Sequence, residues 1–81
     1  MYFVYILRCE DDTLYTGITT DIERRTQEHA TGRGAAYTRA KKVNRIVYVE
    51  GRASRSAAQV REAAIKKLSK AHKEKLIFAQ R

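Results

Sequence analysis

The chain has 81 residues, which is room for one domain with a small core, because a chain of this size buries only about 60% of its unfolded surface. Its 17 Lys and Arg residues outnumber its 9 Asp and Glu residues, and the resulting charge of +8 favours a polyanionic partner such as nucleic acid. A single cysteine, Cys9, excludes an internal disulfide and argues against a cysteine-rich zinc site. No apolar run reaches the length of a membrane-spanning helix, so we expect a cytoplasmic protein. An alternative interpretation of the charge is that it only keeps the protein in solution.

The first 18 residues have the pattern of a β-hairpin. The unbroken apolar run from Tyr2 to Leu7 predicts a strand that is covered on both faces. The polar residues from Cys9 to Asp12 predict a turn, and Leu14 to Ile18 predicts the returning strand. Gly17 lies within this second strand, where glycine often marks the close approach of a ligand or of another chain segment.

A first helix is predicted from Asp21 to Ala30, since Thr20 and Glu23 have the spacing of a capping box. Its apolar side is thin and consists of Ile22, Thr26 and His29. Arg25 lies at the edge of that side, four residues before His29, so both belong to one face of the helix. Taken alone, Arg25 is more often a surface charge and His29 more often a packing residue.

Residues 31–44 show no clear periodicity and carry a high density of basic residues. A connection of this length in a compact domain is more often functional than structurally idle. The apolar stretch from Arg45 to Glu50 predicts a third strand after it.

A second helix is predicted from a capping box at Ser56 and Gln59 to about Ser69. We expect its core-facing stripe to consist of Ala57, Val60, Ala64 and Leu68. Glu62 falls at the rim of this stripe, where one carboxylate is sufficient to hold a magnesium ion. The alternative is an ordinary surface ion pair between Glu62 and Lys66, one turn apart.

A short last helix is predicted from Ala71 to Phe78. We expect it to dock through three apolar residues, Leu76, Ile77 and Phe78. The order β-β-α-β-α, with a possible extra α, predicts an α+β fold in which helices pack on a small sheet.

The order and spacing of these residues resemble the GIY-YIG nuclease family over essentially the whole chain. The first family triplet is similar to Phe3-Val4-Tyr5 and the second to Tyr15-Thr16-Gly17, with Phe3 where the family name has glycine. The family arginine, eight residues after that glycine, is Arg25, and the segment around Glu62 resembles the helix that carries the metal-binding glutamate. The stretch from Gly32 to Arg39 is similar to the stand-alone bacterial members, the YhbQ-like proteins.

The resemblance implies a three-stranded antiparallel sheet flanked by helices, with residues 1–81 forming a single GIY-YIG nuclease-like domain. It implies a divalent-metal-dependent endonuclease that hydrolyses phosphodiester bonds in DNA, in the repair or processing of branched or single-stranded DNA. The alternatives are a non-catalytic nucleic-acid-binding module of the same fold and a structural or interaction domain. RNA is a second possible ligand class, and a protein partner could supply specificity.

By the same resemblance, Glu62 would hold one Mg²⁺ or Mn²⁺ ion and Arg25 would bind the scissile phosphate. Either Tyr5 or Tyr15 would take a proton from the attacking water, and His29 would orient water or substrate. The residues expected to contact nucleic acid are Gly17, Arg33, Tyr37, Arg39, Lys41, Lys42 and Lys66.

Overall fold

The computed structural model of the chain describes residues 1–30 and 43–80. Over these residues the elements in chain order are β1 (Tyr2–Cys9), β2 (Leu14–Thr19), α1 (Ile22–Ala30), β3 (Val43–Arg52), α2 (Arg55–Lys66) and α3 (Lys70–Ala79). The predicted α+β class and the predicted order, including the additional last helix, are confirmed. None of the helices in the described ranges is both long and apolar enough to cross a bilayer.

The three strands form an antiparallel sheet in the order β2-β1-β3. Strand β1 takes the centre because it is apolar on both faces: Val4 is buried on one face and Tyr5 on the other. Tyr5 lies opposite Gly17 of β2 and opposite Val49 of β3. Strand β3 is longer than predicted, since its pairing with β1 continues to Arg52.

The turn between β1 and β2 is held by side chains of its own. Asp12 has a φ of 70°, a left-handed conformation that aspartate tolerates better than most residues. The Asp11 carboxylate accepts hydrogen bonds from the backbone N–H and the hydroxyl of Thr13. Arg8 donates to Asp12 at 2.7 Å and to both carboxylate oxygens of Glu74, which connects the turn to α3.

The core lies between one face of the sheet and the helices α2 and α3. It contains Val4, Ile6, Tyr48, Ala58, Ile65 and Ile77. The predicted stripe on α2 is wrong: Val60 is 72% exposed, whereas Ala58 and Ile65 are buried. The difference is one residue, and one residue rotates a helix by about 100°.

Both predicted capping boxes are also wrong, by one or two residues. Helix α1 is capped by Asp21 and not by Thr20, since the Asp21 carboxylate accepts from the N–H of Arg24 at 3.0 Å. Helix α2 is capped by Ser54 and not by Ser56, since the Ser54 hydroxyl accepts from the N–H of Ala57 at 3.1 Å. Each observed cap satisfies a backbone donor that the first turn of a helix leaves free.

Helix α3 begins earlier than predicted, with Ser69 as its cap. It docks through Ile77, which is buried, and Leu76, which is half-buried. The prediction for Phe78 is wrong, because its side chain is 73% exposed. After the helix, the amide of Gln80 pairs with both the N–H and the carbonyl of Val49, which gives hydrogen-bond partners to the outer edge of β3.

Candidate active site

A cavity of about 370 Å³ lies where β1, β2, α1 and α2 meet, at the β2 side of the sheet. Each of these elements contributes one chemically active side chain to its wall: Tyr5, Tyr15, Arg25 and Glu62. Residues that are 57 positions apart in the sequence therefore share one space. The remaining lining residues are Tyr2, Gly17, Ile18, Thr19, Thr20, Arg55 and Gln59.

Gly17 allows the tyrosine ring of β1 to lie flat against β2. Tyr5 and Gly17 are register partners, and a methyl group added at Gly17 would lie 2.6 Å from the Tyr5 hydroxyl oxygen and 2.7 Å from Cζ. No side chain larger than a hydrogen atom fits there unless the ring moves. Tyr5 is only 2% exposed, so its ring has little room to move.

Burial determines the protonation state of Tyr5. It raises the pKa of the Tyr5 phenol to about 12. Arg25 opposes this shift, while Tyr15, Glu62 and Glu28 add to it by disfavouring a further negative charge. Tyr5 is therefore a neutral hydrogen-bond donor at physiological pH.

Arg25 is a half-buried cation with an incomplete set of partners. One terminal nitrogen lies 3.4 Å from Oε1 of Glu28. Its Nε is buried and has no hydrogen-bond partner among residues 1–30 and 43–80. An unpaired buried donor costs about 1–3 kcal/mol. The rest of the half-buried guanidinium lines the cavity, where a phosphate oxygen is a suitable acceptor for its terminal nitrogens. The neighbouring Arg24 contacts the same Glu28 at 3.8 Å but is 67% exposed.

Helix α2 is fixed on the sheet so that Glu62 reaches the cavity. On one flank of its buried face, Nε of Arg61 donates to Oε2 of Glu50 at 2.8 Å, which anchors the helix to β3. The next residue, Glu62, leaves the helix toward β2 and retains 23% of its exposure. Nζ of Lys66 lies 3.4 Å from the Glu62 carboxylate, so the surface ion pair considered above exists in addition to the cavity position.

The donor atoms of the cavity fit a hydrated magnesium ion better than a metal caged by protein ligands. Among the described residues, no three His, Cys, Asp or Glu side chains come together as a ligand group. One carboxylate, that of Glu62, lines the cavity together with the two tyrosines Tyr5 and Tyr15. Magnesium keeps several waters and is commonly held by one or two carboxylates together with substrate phosphates.

Two cavity residues, Arg55 and Gln59, were not predicted as site residues. They lie seven and three positions before Glu62, on the same side of α2, and this spacing was readable from the sequence. Lys66 does not line the cavity. The other predicted residues lie outside the described residues or have side chains outside them: His29, Arg33, Tyr37, Arg39, Lys41 and Lys42.

Comparison with known proteins gives a family match over most of the chain. Residues 1–75 match the GIY-YIG catalytic domain. The UPF0213 protein of Natronomonas pharaonis is 51% identical over 76 residues, which cover 94% of this chain and 89% of that protein. The UPF0213 protein of Desulfotalea psychrophila is 51% identical over 79 residues, which cover 96% of this chain and 72% of that protein.

A solved structure shares the fold. The solution NMR structure of a UPF0213 protein from Bacillus halodurans is 42% identical, covers 98% of this chain and 85% of its own, and superposes with a TM-score of 0.62. The relatives come from bacteria and archaea, so the resemblance to bacterial members extends more widely than predicted. By the match over residues 1–75 and by these relatives, the chain belongs to the GIY-YIG nuclease family.

Proposed function

We propose that this protein is a divalent-metal-dependent endonuclease that hydrolyses phosphodiester bonds in DNA. The observation that supports this most strongly is that Tyr5, Tyr15, Arg25 and Glu62 come from four different elements and line one cavity. A protein that only bound nucleic acid would need the surface charge of +8 but no half-buried carboxylate beside its phosphate-binding arginine.

In the proposed mechanism the protein binds the phosphate and moves one proton. Arg25 donates from its guanidinium to a phosphate oxygen in the cavity and offsets the charge that develops on it. Glu62 would hold the metal ion, in the cavity that both tyrosines also line. When bound, a divalent ion supplies positive charge at the scissile phosphate and favours ionisation of water.

The two tyrosines take different roles in this proposal. Burial keeps the Tyr5 phenol protonated, so Tyr5 donates a hydrogen bond to the phosphate or the attacking water. Tyr15 is only half-buried, so the negatively charged phenolate that must accept the proton of the attacking water is accommodated more easily there than at Tyr5. The expectation that either tyrosine could act as the base is thereby narrowed to Tyr15.

The test is cleavage of single-stranded, duplex and branched DNA, and of RNA, with and without magnesium. We expect Arg25→Ala and Glu62→Gln to reduce cleavage at least 100-fold without unfolding the protein. Arg24→Ala is the matched control for the first, because Arg24 contacts the same Glu28 but is exposed. Glu10→Gln, in the exposed turn, is the control for the second.

A second measurement separates the enzyme from the binding module. If wild-type protein binds DNA but cleaves none of the substrates, and Glu62→Gln binds equally well, the binding module is correct. If cleavage survives both Arg25→Ala and Glu62→Gln, the site assignment is wrong. The same proposal includes a role in DNA repair or processing, a cytoplasmic location and a protein partner that supplies specificity. The substrate that is cleaved best in this series would indicate whether the role is in DNA repair.

A further inference from the structure

Helix α2 presents two further polar side chains to the cavity besides Glu62. Arg55, Gln59 and Glu62 all line it, at positions i, i+4 and i+7. At 3.6 residues per turn these positions fall within about 60° of one another, beside the buried face formed by Ala58 and Ile65. The cavity wall on this side is thus a polar row that runs along one helix.

Arg55 has no partner within the described parts of the chain. No carboxylate there forms an ion pair with it, and no hydrogen bond involves its side chain. Two other arginines are paired with carboxylates: Arg8 pairs with Glu74, and Arg61 pairs with Glu50. Gln59 is likewise exposed and has no hydrogen-bond partner among the described residues.

The charges of the cavity wall are therefore divided into two zones. Glu62 and Arg25 form one zone, in which Arg25 is already shared with Glu28. Arg55 forms the other, an uncompensated positive charge with an amide one turn away. A helix rises about 1.5 Å per residue, so the backbone positions of Arg55 and Glu62 are about 10 Å apart along the axis. A DNA strand carries a phosphate about every 3.4 Å of duplex axis, so the two zones meet different phosphates.

We propose that Arg55 and Gln59 form a second phosphate-binding subsite, which holds a phosphodiester group on the same strand as the scissile one. The guanidinium of Arg55 pairs with the non-bridging oxygens and the amide of Gln59 donates to one of them. The subsite fixes the register of the strand, so that one particular phosphate reaches Arg25 and Glu62. This inference rests on the proposed nuclease function.

The variants that test it are Arg55→Ala and Gln59→Glu. The first removes the charge, and the second keeps the size of the side chain but opposes the phosphate. Each is expected to raise KM, and the Kd for DNA, about tenfold, with the loss falling on KM and not on kcat. Lys67→Ala is the matched control, because Lys67 is an exposed residue at the C-terminal cap of the same helix, outside the cavity, and carries the same charge.

A substrate series locates the subsite. One phosphate at a time is replaced by an uncharged methylphosphonate, and binding is measured with the Glu62→Gln protein so that no cleavage interferes. We expect weaker binding at the scissile position and at one further position. In the Glu62→Gln/Arg55→Ala protein, a methylphosphonate at that further position should no longer weaken binding, whereas a methylphosphonate at the scissile position should still do so.

Failure of the subsite and failure of the nuclease function give different results. If the protein cleaves DNA but Arg55→Ala behaves like Lys67→Ala, or if its interference pattern equals that of the parent, the subsite is refuted and the nuclease stands. A different result refutes the nuclease function and leaves the subsite standing. In that result Arg55→Ala removes the binding penalty at the further position, but neither the wild-type protein nor any variant cleaves DNA.

Discussion

Replacement of Gly17 by alanine tests the closest contact in the site. The new methyl group would lie 2.6 Å from the hydroxyl oxygen, 2.7 Å from Cζ and 3.0 Å from Cε2 of Tyr5. Ordinary contacts begin near 3.4 Å, so the ring has to retreat by about 0.8 Å. Tyr5 is buried within the sheet, and the retreat therefore disturbs packed neighbours.

Two opposing effects determine the stability of Gly17→Ala. Replacing a strand glycine with alanine normally gains about 0.5–1 kcal/mol in backbone entropy. Overpacking of a tight site costs about 1–3 kcal/mol. We expect a net loss of about 1–2 kcal/mol in the free energy of unfolding, measured by urea denaturation. A displacement near 1 Å can reduce an enzymatic rate about 100-fold. We therefore expect the cleavage rate of Gly17→Ala to fall about 100-fold even where the protein remains fully folded.

Gly51→Ala is the matched control, since Gly51 is also a strand glycine. Its added methyl group would meet Sδ of Met1 at 2.7 Å, the end of a flexible side chain that is 74% exposed. We expect a change within about 0.5 kcal/mol. In a Tyr5→Leu background, which lacks Cζ and the hydroxyl, Gly17→Ala should cost little. Wild-type stability and cleavage in Gly17→Ala, or equal damage by Gly51→Ala, would refute the reasoning.

Three further predictions concern stability, measured by urea denaturation. The pKa of Tyr5 is raised from 10.0 to about 12 in the folded protein, so above pH 10 the phenol ionises more easily in the unfolded chain. The contribution of the neutral phenol to the free energy of unfolding is therefore complete below pH 10, and up to about 2–3 kcal/mol of it is lost between pH 10 and 12. Tyr5→Phe should lack this loss, and an equal loss in both proteins would contradict the shift. Ser54→Ala should cost about 1 kcal/mol and Ser56→Ala almost nothing, and the reverse order would restore the predicted cap. Glu74→Gln should cost about 1 kcal/mol of unfolding free energy at neutral pH, since Glu74 pairs with both terminal nitrogens of Arg8. Because the pKa of Glu74 is lowered in the folded protein, this cost should vanish as the pH falls below 4.5. A cost that stays unchanged in acid would exclude the ion pair as its cause.

The strands were predictable because their apolar runs allow few other structures. A continuous run from Tyr2 to Leu7 is too short for a buried helix and too apolar for a surface strand, and it became the central strand. The ends were less accurate: β3 continues to Arg52 because β1 supplies hydrogen-bond partners that far. Pairing between distant segments leaves no local signal in the sequence.

The orientation of α2 was not predictable from its composition. Alanines occupy positions on several sides of this helix, so its sequence allows more than one apolar face. The observed face is selected by Ile65, the largest apolar side chain of the helix, together with the ion pair from Arg61 to Glu50. Arg55 and Gln59 were missed for a different reason: their spacing to Glu62 holds for any orientation of the helix, but only the fold shows that this side of α2 lines a cavity.

The membership of the site was easier to predict than its chemistry. The resemblance to the GIY-YIG family identified Tyr5, Tyr15, Arg25 and Glu62, and all of them line the cavity. It could not distinguish the two tyrosines, because their difference arises from burial by the rest of the fold. Their catalytic roles remain predictions for the experiments above.

The central position of β1 has a consequence for synthesis of the protein on the ribosome. The hairpin of β1 and β2 needs only the first 19 residues. The other edge of β1 remains unpaired until β3 is available, and this pairing extends to Arg52 of β3, which lies opposite Tyr2. Closing a connection of this length is entropically slow. During that interval an apolar strand has one edge without partners, and such an edge pairs readily with other chains. We therefore expect nascent chains from which β3 has not yet emerged to aggregate more readily than the complete chain.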